Sequence, residues 1–336
     1  MMESPQDFEN TSMASSLNAS SDDTIATSSS GDVGGKLIIT FRGLMGLTIL
    51  AVNIIVIKCI KEWKKLNKTR KILLINISVA DIILGLSFML SFTFALLPID
   101  KSKICHISSG TGVVSGLESI GGITLLSIDL LISTQRLKKT NASQSNQVTK
   151  ILVFALFAWW LISLGLAGWA VFANDKDYSK TVCTPTKVLL RSSRLLTVVC
   201  IGWALMITVV ICNLASFYVA RSCISEINEN SDSLTPQQLS IRMQRVKFNM
   251  KISHLAMAVS LLFVVSWGPW GTILILLQFY PDLVRADTAA LVGVLTMLNS
   301  LGNIFIYKWR STEFSVALTK LMCICRPNVV LPASTQ

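Results

Sequence analysis

Apolar residues gather into seven long runs along the chain, at 37–60, 72–97, 104–133, 151–173, 195–220, 252–279 and 288–307, separated by polar segments. A helix needs about 20 largely apolar residues to cross a roughly 30 Å hydrocarbon layer, and each run reaches that length. Helices satisfy their backbone polar groups within the segment, as hydrocarbon demands. The pattern predicts an all-α membrane protein, a seven-transmembrane helix bundle. The third run is diluted by Gly110, Gly112, Gly116, Gly121 and Gly122. Small residues let neighbouring helices approach closely, so this helix is expected at the centre of the bundle.

Composition agrees with the pattern: 51% of the 336 residues are hydrophobic and 15% charged, with a mean hydropathy of +0.59. One soluble core cannot bury that much apolar surface. Charge then sets the orientation. Lys61, Lys64, Lys65, Lys68, Arg70 and Lys71 crowd the first loop, and Arg136, Lys138, Lys139 and Lys150 the next, so these loops are expected in the cytosol. A net charge of +11 is thereby read as orientation and attraction to anionic lipid rather than as nucleic-acid binding. Residues 1–36 are Ser/Thr-rich and acidic, with glycan acceptor sequences at Asn10 and Asn18, and are expected to form a disordered extracellular tail. The bundle is assigned to 37–307, and 308–336 to a cytoplasmic tail opening with an amphipathic helix over 311–322 that includes Phe314, Val316, Ala317 and Leu318.

The cysteines divide by compartment. Cys105 and Cys183 fall on the oxidising side, where a bridge between them would tether the loop at 174–194. Cys323 and Cys325 follow the last run on the cytosolic side and suit palmitoylation.

An ionisable group in hydrocarbon is costly and calls for partners. Asp81 lies ten residues beyond Lys71, hence roughly 15 Å deep at about 1.5 Å per residue. Asn53, Ser119, Asn299, Ser300 and Asn303 lie at comparable depth. Hard oxygen ligands around one carboxylate suit a small cation such as sodium, or a water network. A closed interhelical hydrogen-bond network without an ion fits the same residues.

Asn53, the stretch Asn76-Ile77-Ser78-Val79-Ala80-Asp81, Ser266-Trp267-Gly268-Pro269 and Asn303-Ile304-Phe305-Ile306-Tyr307, in this order, resemble the motifs of rhodopsin-like (class A) G-protein-coupled receptors over about residues 37–326. Cys105 and Cys183 stand where that family places its bridge. The resemblance implies a sodium pocket at Asp81, Ser119, Asn299, Ser300 and Asn303. It also implies a sixth-helix switch at Phe263, Trp267 and Pro269, with inner tyrosines at Tyr218 and Tyr307. The ligand lining it implies is Gly112, Val113, Gly116, Trp203, Met206, Trp267, Trp270, Leu274 and Gly293, an apolar and aromatic set fit for an uncharged or lipid-like ligand. Gly112 replaces the aspartate of amine receptors and Met297 the retinal lysine of opsins. Implied partners are an extracellular ligand, a heterotrimeric G protein, arrestin and membrane lipid, at the plasma membrane; no cofactor is expected beyond an allosteric sodium ion.

The departures bear on coupling. The family's Asp-Arg-Tyr reads Asp129-Leu130-Leu131, Ile304 replaces the seventh-helix proline, and Asn249 stands where many relatives carry an acid. Leucine donates no hydrogen bond, so a resting ionic lock is expected to be missing. A non-signalling receptor, either scavenger or dimer partner, is the alternative, followed by a channel or transporter. No nucleophile, base or metal-ligand cluster suggests an enzyme, and the chain holds two histidines.

Overall fold

The computed structural model describes residues 23–96, 102–138, 146–172, 193–229, 235–280 and 286–324. They form eight helices: α1 (Asp23–Glu62), α2 (Lys68–Leu96), α3 (Ser102–Lys138), α4 (Asn146–Phe172), α5 (Ser193–Glu229), α6 (Pro236–Phe279), α7 (Ala286–Arg310) and α8 (Thr312–Ile324). Asn10, Asn18, Cys183 and Cys325, and the side chains of Cys105 and Cys323, lie outside the described residues.

Among the described residues, six helices are long and apolar enough to cross a membrane, over Thr40–Glu62, Lys68–Phe94, His106–Arg136, Gln147–Val171, Arg194–Glu229 and Pro236–Phe279. The seventh, α7, is diluted by Thr296, Asn299, Ser300 and Asn303, all of which it buries against its neighbours. Packing along α6 and α1 brings it into the bundle.

Burial assigns the helices their places. The apolar window of α3 is 89% buried, against 22% for α4 and for α5. As expected from its glycines, α3 is the central post, packed against α2, α4, α5 and α6. Phe154, Phe157, Leu161 and Leu164 of α4, with Ile207, Ile211 and Leu214 of α5, turn outward as an apolar face suited to lipid.

The largest apolar core lies in the inner half. It joins Val56 and Ile60 of α1, Leu73 and Ile77 of α2, Ile123, Leu126 and Leu130 of α3, Leu255 and Val259 of α6, and Tyr307 of α7. Beyond the span length, α5 continues to Glu229 and packs Cys223 and Ile227 against Val246 of α6. Thr235 opens α6 with a capping box to Gln238, and Pro236 fills its first turn, where a missing N–H costs nothing.

The expected amphipathic helix is present as α8. Ser311 Oγ accepts from Phe314 N at 3.1 Å, and Phe314 packs edge-on against Trp63 and Tyr307. Phe314, Ala317 and Leu318 thus face the bundle, while Val316 is exposed. Lys65 pairs with Glu313 at 3.2 Å and ties the first inner loop to this helix.

The helix glycines act through space. Trp159 of α4 donates its indole N–H to Leu117 O at 2.9 Å, and its ring lies where a side chain on Gly121 would stand. Gly121→Val is expected to lower stability by about 1–3 kcal/mol through overpacking. Gly165→Ala, where the added carbon meets nothing, should be neutral. Melting temperatures of the purified variants in detergent check both.

Candidate functional site

Among the described residues, polar clusters around Asp81, Glu118 and Arg70 and a cavity lie inside the bundle. Asp81 is fully buried on α2. Ser300 Oγ donates to its Oδ1 at 2.6 Å and Asn303 Nδ2 to its Oδ2 at 2.9 Å. Asn53 Nδ2 donates to Ser300 O at 3.1 Å, which draws α1 into the same layer. Ser119 and Asn299 are buried at this depth, yet Ser119 Oγ and Asn299 Oδ1, with Asn53 Oδ1 and Asn303 Oδ1, have no partner among the described residues. Four unpartnered side-chain oxygens around one carboxylate are the donor chemistry a sodium ion takes.

Glu118 of α3 turns away from that layer. Its Oε1 accepts a short hydrogen bond from Ser163 Oγ of α4. Asn76 of α2 accepts from the Trp160 indole at 2.8 Å and sits beside the Glu118 carbonyl. The pair of tryptophans thus anchors α4 to α3 and α2.

The third cluster sits at the inner end. Asn67 caps α2, its Oδ1 accepting from Arg70 N at 2.8 Å, which sets Arg70 in the first turn of the helix. Arg70 Nε donates to Asp129 Oδ2 at 2.8 Å, and Arg70 Nη1 to Asn249 Oδ1 of α6 at 3.0 Å. Arg70 and Asp129 are 3% and 2% exposed, so the pair is shut off from solvent. Arg70 of α2 thus joins α3 to α6, a connection that the expectation of a missing ionic lock did not foresee. The aspartate is paired, but its cation comes from α2 instead of from the next position on α3, where Leu130 packs into the core. This pairing corrects the reading of Arg70 as a membrane-edge charge.

The cavity opens in the outer half, with a volume of about 190 Å³. All nine residues implied as ligand lining border it, from Gly112 and Val113 to Gly293. Gly116 lies under the Trp267 ring, 2.8 Å from where its side chain would begin, while Gly112 opens onto free space. Trp267 stacks on Phe263, ring centroids 5.8 Å apart at 11°, and the two form the floor. Pro269 lies two residues beyond Trp267, within a continuous α6. Met297, which stands at the position of the opsins' retinal lysine, borders the cavity and is buried, and no lysine is among the described lining residues.

Tyr307 is fully buried with its hydroxyl unpartnered among the described residues, whereas Tyr218 is 76% exposed on α5. The two inner tyrosines do not meet in this structure. Arg42 of α1 also borders the cavity, and neither it nor Arg70 was singled out as a site residue by the sequence. For Arg42 the signal was available, since it is a cation lying inside the first apolar run.

The model of the 7 transmembrane receptor (rhodopsin family) matches residues 52–307. A Gq-coupled rhodopsin of Mizuhopecten yessoensis is 24% identical over 86% of this chain and 60% of its own length. Sphingosine 1-phosphate receptor 2 of Homo sapiens is 23% identical over 86% of this chain and 77% of its own. The chain thus spans about 60% of the length of the former relative. Squid rhodopsin shares the fold with a TM-score of 0.71 at 18% identity, over 88% of this chain and 87% of the squid chain.

Removing one member of a buried ion pair strands the other, at a cost of about 3–5 kcal/mol. Arg70→Met and Asp129→Leu should each destabilise by that order. The double substitution should recover most of the loss, because an apolar pair strands no charge. A thermal double-mutant cycle checks the coupling.

Proposed function

Because the chain belongs to the rhodopsin family of seven-transmembrane receptors, we propose that it receives an extracellular ligand in the outer cavity and transmits the signal to a heterotrimeric G protein, and to arrestin, through movement of α6. The observation that carries this reading is the shared helix. The Trp267–Phe263 floor of the cavity and the Asn249 end of the inner clasp both belong to α6. A ligand that favours one packing of Trp267 therefore biases a helix whose other end is held by a hydrogen bond from Arg70. Pro269 supplies the weak point, since it removes a backbone donor from α6.

Three further assignments belong to this reading. Asp81, Ser119, Asn299, Ser300 and Asn303 hold a sodium ion that favours the resting packing, supported by the unused oxygens around the carboxylate. Residues 1–36, of which 23–36 lengthen α1 instead of staying unstructured as expected, form the extracellular part, glycosylated at Asn10 and Asn18, residues 37–307 the bundle and 308–336 the cytoplasmic part, at the plasma membrane. Cys105 and Cys183 form a bridge, and Cys323 and Cys325 carry palmitate. The relatives named above are receptors, and no catalytic role is proposed.

Leu130 favours one second reading, a receptor that binds ligand or pairs with another receptor without activating G protein, because the inner arginine of typical members is missing. Nucleotide exchange on a panel of purified G proteins separates the two. Coupling is expected to appear in the wild type in nanodiscs, with basal exchange raised severalfold by Arg70→Met, which frees the inner end of α6. No exchange from either protein on any G protein contradicts coupling and leaves the second reading.

For the ion, raising sodium at constant ionic strength should raise the melting temperature of the wild type and leave Asp81→Asn unchanged. Equal responses in the two proteins sink the sodium assignment.

A further inference from the structure

The cavity has an unexpected pole. Every described residue that lines it is uncharged except Arg42, which is half-buried and makes no hydrogen bond or ion pair among the described residues. Arg42 precedes Asn53 by eleven residues, Ser91 follows Asp81 by ten, and Ser108 precedes Ser119 by eleven. At about 1.5 Å per residue these three stand at one level, roughly 15 Å outward of the Asp81 layer. Ser87, Ser91, Ser108 and Ser109 therefore share the outer end of the cavity with Arg42. Ser87 Oγ donates to Ser108 O at 2.8 Å, and Ser109, only 3% exposed, keeps its hydroxyl unpartnered among the described residues. The opposite end is Val113, Leu117, Trp203 and Trp267.

A guanidinium without a counter-ion beside an apolar chamber is costly. Its planar fork matches a carboxylate or phosphate with two parallel hydrogen bonds. From the cavity's polarity, resting on its reading as the ligand site, we infer that the ligand is a single-chain amphiphile. Its acidic head, carboxylate or phosphate monoester, is held by Arg42 and the outer serines, and its alkyl chain runs toward Trp203 and Trp267. The volume of about 190 Å³ is small beside the roughly 300–1,000 Å³ of sites for drug-sized ligands. That favours one chain of moderate length over a two-chain phospholipid. It narrows the expected uncharged or lipid-like ligand to the lipid-like side and adds Arg42, which the expected lining did not include.

Saturation binding of labelled decanoate to the full chain in phosphatidylcholine nanodiscs, with decyl phosphate and decanol as competitors, tests the assignment. Decanoate or decyl phosphate is expected to bind at least about tenfold more tightly than decanol, the worth of a charge-assisted pair, and their rank identifies the head. Arg42→Gln should weaken the acids about tenfold and leave decanol unchanged, Arg42→Lys should fall between, and Gly112→Leu should weaken all three. Acid affinity untouched by Arg42→Gln overturns the proposal, as would be expected if Arg42 merely reached toward lipid headgroups. If Arg42→Gln does not fold, the wild-type preference for acid over alcohol decides. Decanol binding as tightly as the acids, yet lost in Gly112→Leu, overturns the acidic head and leaves the ligand cavity standing. No saturable binding, or binding indifferent to Gly112→Leu, overturns both.

Discussion

Inside a hydrocarbon layer a polar side chain has no water to turn to, and while hydroxyls such as Thr124 and Ser127 bond back to their own helix, a carboxylate or guanidinium needs partners on other helices. That constraint organises the bundle. Arg70 joins α2 to Asp129 of α3 and Asn249 of α6. Asp81 joins α2 to Ser300 and Asn303 of α7. Glu118 and Asn76 receive α4 through Ser163 and Trp160. Apolar contact alone discriminates little between helices when the surrounding lipid is as apolar as leucine. These bonds supply the register that leucine packing does not.

The clusters divide the molecule along the membrane normal. The inner half is filled by Leu73, Ile77, Ile123, Leu126, Leu255 and Tyr307. The outer half is hollow, with Trp267 and Phe263 at the junction. A solid half behaves as a unit, because close-packed interiors deform in discrete steps. Changes at the floor of the cavity therefore reach the inner end mainly through the one helix that has both a proline and a polar clasp. The loss of the usual arginine at Leu130 has not opened the inner end, since a guanidinium from α2 occupies the same electrostatic role toward Asp129.

Much of this was legible in the chain. Run length and loop charge gave the helices, and depth counting brought Asp81 together with Ser300 and Asn303 before any coordinates. Gly121 and Gly122 correctly marked α3 as central, because a glycine reads as room for a neighbour. Arg70 was not legible: it sits among Lys68 and Lys71 in a loop whose charges all look alike, and its partner Asn249 is 179 residues away. Only the cap at Asn67 hinted that its backbone was already helical. The extension of α5 to Glu229 was missed for a different reason. A span judged by membrane thickness stops at the lipid, while Cys223 and Ile227 go on packing against α6 beyond it. Arg42 was readable as a cation in an apolar run, but its bearing on the cavity needed the packing of α1 against α2.

The Arg70–Asp129–Asn249 clasp holds the inner end of α6 against α2 and α3. Spin labels attached through Lys68→Cys on α2 and Gln244→Cys on α6, in a background without other reactive cysteines, report the separation of those inner ends. That hold predicts a single short-distance population in the otherwise native chain. When Arg70→Met is added, a longer and broader population should appear. An unchanged distance distribution with Arg70→Met would contradict it.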